Sequence, residues 1–281
     1  MAIEYKTMAK DRLLFFDLLR VGSVALIILA HLSKSFGHPI NILGVIGVAI
    51  LIFISGAVLE YSQKRLETTD DIATFYVKRL FRIYPAFWMS FLLGLLFIPK
   101  GYDLSPVRIM VEFTGFTAWT GYWGGLINSV GWFVGLIITL YFLYPFLSAS
   151  IRKYPVLMLV LIAGVEITAR YAISAGMSPD LGLLPERWLP FCNFLEFGLG
   201  IWIVQRGIYP KQTYDNPALR AAADISFYVF LIHYPLLPLL GMLQAPFVVL
   251  LLEYALVVLA VSFTAMAIDN KIQKYLLTAI S

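Results

Sequence analysis

Four stretches of this chain, 13–32, 40–59, 130–147 and 247–268, are almost wholly apolar. Each approaches the roughly 20 residues that an α-helix needs to cross the hydrocarbon core of a bilayer. Hydrophobic residues make up 60% of the chain and charged residues 14%, against about a quarter charged in an ordinary soluble domain. The mean hydropathy of +0.82 agrees. So few charges cannot cover the surface of a water-soluble domain of this size. The expected fold is all-α: a polytopic membrane helix bundle forming one membrane-embedded domain over 1–281.

Hydropathy predicts eight spans, at 13–35, 40–60, 83–99, 130–149, 155–174, 188–206, 219–242 and 246–268. Residues 105–122 carry Arg108 and Glu112 and are read as a re-entrant or interfacial helix. With the N-terminus in the cytoplasm, 15 of the 21 Lys and Arg residues fall on the cytoplasmic side, as the positive-inside rule requires. Both termini are then cytoplasmic. Trp119, Tyr122 and Trp123 would anchor the outer interface. The first apolar run is too long for the core of a signal peptide and lacks a small-residue cleavage site. No extramembrane domain is expected, which places any chemistry in or beside the bilayer. The single cysteine, Cys192, excludes an intramolecular disulfide and a cysteine metal cage, and its apolar setting marks a buried thiol. The three histidines, His31, His38 and His233, form no local metal motif, so no metal is expected.

A charge inside a bilayer costs several kcal/mol and needs a reason. The first span reads DRLLFFDLLRVGSVALIILAHLSKSFG. At 100° per residue Arg20 and His31 share one helix face, about 16 Å apart along the axis. Asp17 lies one turn before Arg20 and can pair with it. Either the arginine reaches the headgroups and the histidine caps the outer end, or both face a common polar lumen, where a histidine suits general-base work. Lys78, Arg79 and Arg82 cluster in FYVKRLFRIYPAFW, with the two arginines one turn apart. They either touch anionic lipid or hold phosphates in paired guanidinium forks. Glu166 and Arg170 are spaced to pair within one helix. Glu196 precedes a glycine-spaced helix contact. His233, two residues before Pro235, either faces the lumen with His31 or bonds a carbonyl freed near the proline. Arg108, Glu112 and Asn128 could meet a polar acceptor. Such a set of intramembrane charges would also suit a proton-coupled transporter or flippase, but no internal repeat is visible.

Read in order, five segments resemble the acyltransferase-3 family of membrane acyltransferases. They are DLLRVGSVALIILAH, GVIGVAILIFISGAVL, KRLFRIYPAFW, GWFVGLIITLYFLYP and ISFYVFLIHYPLL, spread over 17–237. The resemblance implies transfer of an acyl group, usually acetyl, from cytoplasmic acyl-CoA to a hydroxyl. The acceptor it implies is a sugar, a glycolipid or a surface polysaccharide, and the location a plasma membrane. By position, His31 matches the family's catalytic histidine and Arg20 the motif arginine below it. Arg79 and Arg82, with Lys78 beside them, match the arginines associated with the CoA phosphates. The chain departs from the pattern at Ala49, where an acid is common, and at Ile137 and Ile138, where glutamates are common. It also has fewer spans than most members.

The expected mechanism follows. Arg79 and Arg82 hold the CoA phosphates, and the pantetheine arm runs up a lumen lined by the first span. Arg20, oriented by Asp17, meets a phosphate or helps admit the thioester. His31 takes the proton of the acceptor hydroxyl or carries the acyl group itself. Ser55, Trp132, Tyr141 and His233 are the side chains considered for stabilising the oxyanion.

Overall fold

A computed structural model describes residues 12–63, 65–98, 104–120, 127–175, 189–242 and 246–280, with side chains to residue 276. Its described part is helical: α1 Leu14–Ser35, α2 Asn41–Ser62, α3 Thr69–Leu95, α4 Pro106–Thr114, α5 Thr117–Thr120, α6 Gly131–Lys153, α7 Pro155–Ser174, α8 Phe194–Gln205 after a 3₁₀ turn at Pro190–Asn193, α9 Pro217–Ile232, α10 Leu239–Met242 and α11 Phe247–Ile280. Five of these, α1, α2, α6, α7 and α11, are long and apolar enough to cross a membrane. The other expected spans take different forms. Helix α3 has 27 residues but begins at Thr69, well before the expected start at 83. Thr68 and Asp71 form a reciprocal capping box there, which supplies two of the first-turn N–H donors with acceptors. Helix α8 has 12 residues and α9 has 16. Of the segment expected at 105–122, the described part to residue 120 holds two short helices parted at Gly115, whose φ of 77° only glycine adopts at little cost. Tyr122 and Trp123 lie outside the described residues, as do Lys6, Lys10, Lys64, Lys100 and Arg187. Trp119 donates to Thr139 of α6 at 3.0 Å.

Helix α2 packs along α1 on one side and α8 on the other. Gly56 of α2 and Gly200 of α8 face each other's backbone so closely that a methyl on either would overlap a carbonyl, of Phe197 or of Phe53. Small residues allow such approach where helices associate without a hydrophobic driving force. Helix α9 lies against α1, α3 and α11, so that α1, α2, α3, α6 and α9 surround a common interior.

Prolines explain several polar contacts in this core. Pro85 inside α3 has no N–H to give the carbonyl of Phe81, and the side-chain amide of Gln273, on α11, donates to that carbonyl instead. Pro235 likewise leaves the carbonyl of Leu231 without its helical donor, and Asn128 Nδ2 fills the place at 3.0 Å. Asn128 also donates to Ser90 and accepts from the N–H of Val130. Glu112 binds Arg108 and the N–H of Ile127. Both side chains are thus engaged by the protein rather than offered to an acceptor. Glu166 and Arg170 pair at 3.0 Å as their spacing predicts, and Arg170 also donates to the carbonyl of Cys192. Cys192 is buried.

Candidate active site

A cavity of about 300 Å³ opens among α1, α2, α3, α6 and α9. Arg20 enters it from α1, Ser55 from α2, Arg79 and Arg82 from α3, and Tyr141 from α6. Arg20 and Arg79 are 59 positions apart in sequence; α9, which packs against both α1 and α3, brings their helices to one cavity. Asp17 is buried beneath, 3.5 Å from Arg20. Arg12 Nε donates to Asp17 at 2.8 Å and the Tyr214 hydroxyl at 2.6 Å. Burial and the Asp17 carboxylate push the Tyr214 phenol up to about 12, so it stays a donor at any physiological pH. Arg12 also reaches Asp224 of α9, another cavity-lining residue, at 2.8 Å. The acidic residue that orients Arg20 is therefore itself held by α1's own start and by the segment leading into α9.

Arg79 and Arg82 occupy different environments. Arg79 is half-buried, donates from Nη2 to Gln63 at 3.3 Å and lies 5.4 Å from the centre of the Phe75 ring. Its Nε is buried with no hydrogen-bond partner among the described residues. A buried guanidinium N–H left without an acceptor is costly, and a cavity lined by three arginines attracts an anion. Arg82 is exposed. Lys78 is exposed too and does not line the cavity.

His31 lies on α1 beyond Val24, the last α1 residue in the cavity wall. Its Nδ1 is 2.8 Å from Nε2 of His233, across 202 positions of sequence. The rings stack at 5.1 Å between centres, and Tyr234 meets His31 edge-on. His233 is fully buried. Its Nδ1 is 2.7 Å from the carbonyl of Phe230 and 3.2 Å from that of Val229. The Tyr254 hydroxyl of α11 donates to the His233 carbonyl at 2.5 Å. His233 thus meets His31 and two α9 carbonyls, while the carbonyl that Pro235 frees, that of Leu231, is taken by Asn128.

The single lumen expected along α1 is interrupted. Neither histidine lines the arginine cavity. Val24, Phe133 and Phe230 close its end towards them, with the two phenylalanine rings 4.9 Å apart and Phe230 6.1 Å from His233. Ser55 and Tyr141 are in the cavity wall, whereas Trp132 is buried outside it, edge-on to Phe133. Phe133, Phe230 and Asp224 went unnoticed in the sequence; aromatic residues abound in these helices and no spacing singles them out. No group of three metal-binding side chains occurs among the described residues.

Apolar helices around a cavity lined by three arginines and Asp224, with a histidine pair beyond it, define a helical membrane protein with a charged interior site. Residues 13–217 match the acyltransferase domain family, and the chain belongs to that family. It is 26% identical over 214 residues to "Acyltransferase MdmB" of Streptomyces mycarofaciens, covering 66% of this chain and 53% of that protein. It is 25% identical over 225 residues to "Nodulation protein 10" of Rhizobium leguminosarum bv. viciae, covering 70% of this chain and 59% of that one. The matched region thus spans little more than half the length of these relatives. No solved structure matches the chain. The family match includes His31 and the three cavity arginines but ends at the start of α9, before His233.

Proposed function

We propose that this protein is an integral membrane O-acyltransferase. It moves an acyl group, acetyl in the first instance, from cytoplasmic acyl-CoA to a hydroxyl of a sugar, glycolipid or surface polysaccharide at the plasma membrane. The observation that carries this reading is the cavity lined by Arg20, Arg79 and Arg82, with an uncommitted guanidinium N–H, on the path along α1 towards His31. The phosphates of CoA are the acceptors such a cavity calls for. Arg79 and Arg82 hold them, while Arg20, fixed by Asp17, meets the charge deeper in. The pantetheine arm is uncharged and can cross the Val24–Phe133–Phe230 layer once those side chains turn aside. His31 then removes the proton of the acceptor hydroxyl as its oxygen attacks the thioester carbonyl. The C–S bond breaks, the thiolate takes the proton from His31, and the ester and free CoA leave.

The experiment is titration calorimetry of the detergent-purified protein with acetyl-CoA, beside an Arg79→Ala/Arg82→Ala variant. Saturable binding that the variant loses is the expected result. A folded wild type that binds neither acetyl-CoA nor free CoA overturns the reading.

A further inference from the structure

We infer that His233 is a positioning residue that sets the tautomer of His31, so that the two rings act as one base of fixed polarity; this rests on the reading of His31 as the base. The chain of hydrogen bonds decides the protons. The carbonyl oxygens of Phe230 and Val229 can only accept, and both face His233 Nδ1. Nδ1 of His233 therefore carries hydrogen, and its Nε2 holds a lone pair when the ring is neutral. That lone pair is 2.8 Å from His31 Nδ1, which must then be the protonated nitrogen of His31. The remaining nitrogen, His31 Nε2, has no partner among the described residues and is left as the proton acceptor. The polarity runs in one direction, from His31 to His233 to the end of α9.

This arrangement does for His31 what a buried carboxylate does for the histidine of a serine hydrolase: it holds the ring and selects the tautomer. It does so without a second charge. When His31 Nε2 takes the hydroxyl proton, the new imidazolium donates from Nδ1 to a neutral acceptor. If the Nδ1 proton shifts to His233 Nε2, the charge rests on a ring whose other N–H is already bonded to carbonyls. The protein can thereby manage without the acids that are missing at Ala49, Ile137 and Ile138. An accepting Nε2 also removes His233 from the side chains able to donate to an oxyanion. Tyr254 holds the His233 backbone, and complete burial denies the ring a competing water.

The test has two readouts. Nitrogen-15 NMR of protein labelled at histidine is tractable because there are only three, and a His38→Asn variant leaves the two of interest. Both should appear as Nδ1–H tautomers at neutral pH. A His31 protonated at Nε2 overturns the inference, whatever the activity. In acyl-transfer kinetics, His233→Phe keeps the ring and removes both nitrogens. It should lower kcat by about 100-fold or more, within the range general-base catalysis contributes, and leave the KM for acetyl-CoA unchanged. His233→Gln can present an amide oxygen to His31 Nδ1 and should recover about tenfold of that loss. Equal losses in the two variants, at unchanged thermal midpoints, would reduce His233 to a packing residue. A wild type with no acyl transfer at all refutes the proposed function, while the tautomer measurement still stands or falls by itself.

Discussion

Replacing Arg79 by lysine keeps a positive charge in the cavity and removes the planar fork that presents it. The amide of Gln63 and the ring of Phe75 hold the guanidinium in place, and Nε–H is the donor left uncommitted. A hydrogen bond to a charged partner is worth about 1.5–3 kcal/mol. Since lysine retains the Coulomb attraction, the loss should fall at the low end, about 1.5 kcal/mol or a little over tenfold in Kd for acetyl-CoA. Arg82 sits in a different dielectric. It is exposed, so its contribution is screened and geometrically undemanding, and Arg82→Lys should change Kd by about twofold or less. Calorimetry at 0.15 M ionic strength, near physiological screening, compares the two directly. Equal effects from both exchanges, or none from Arg79→Lys, would show that the fork at Arg79 does not meet the phosphates.

Two further perturbations test the scaffold. Glu60, at the end of α2, accepts from Tyr144 at 2.9 Å, Ser148 at 2.7 Å, Arg152 at 2.5 Å and Gln205 at 3.1 Å; Glu60→Ala leaves the buried Tyr144 and Ser148 hydroxyls without this acceptor and should lower unfolding stability by about 2 kcal/mol, within the range for stranded buried donors, since Arg152 itself is exposed. A loss below about 1 kcal/mol in denaturant titration, the range of a surface ion pair, would show that the carboxylate does not tie α2 to α6 and α8. At the start of α3, the Thr68 hydroxyl and the N–H groups of Thr68 and Glu67 hold the Asp71 carboxyl below its ordinary value. A carboxyl depressed by folding stabilises the cap above its unfolded pKa and loses that effect as pH falls through the folded value. Amide exchange in the first turn of α3, corrected for intrinsic rates, should therefore rise on acidification below about pH 4, and Thr68→Ala should show the faster exchange already at neutral pH. Protection independent of pH would contradict this.

The parts of the site legible in the sequence were those that one helix can encode. The spacing of Asp17 and Arg20 gave their ion pair, that of Glu166 and Arg170 gave theirs, and the step from Arg79 to Arg82 placed both in one cavity wall. Periodicity stops at the edge of its own helix. It could not place His233, because its contact with His31 depends on α1 and its carbonyl partners on where α9 ends. Nor could it show that α1 loses the lumen between Arg20 and His31, because Phe133 and Phe230 come from two other helices. Hydropathy recovered the helices that are apolar throughout. It misplaced the start of α3, whose first turns are charged and capped, and it missed Gly115, where a single positive φ divides the outer segment.

The layer of Val24, Phe133 and Phe230 has a thermodynamic consequence. It separates a compartment lined by three arginines and Asp224 from the histidine pair. A diphosphate meets a steep desolvation barrier there, since an ion leaving water for an apolar layer gives up several kcal/mol, while a thioester on a flexible neutral arm meets almost none. On the proposed reading, the same three side chains would sort one donor molecule into two ends by solubility, keeping the charged end at the arginines and passing only the reactive one.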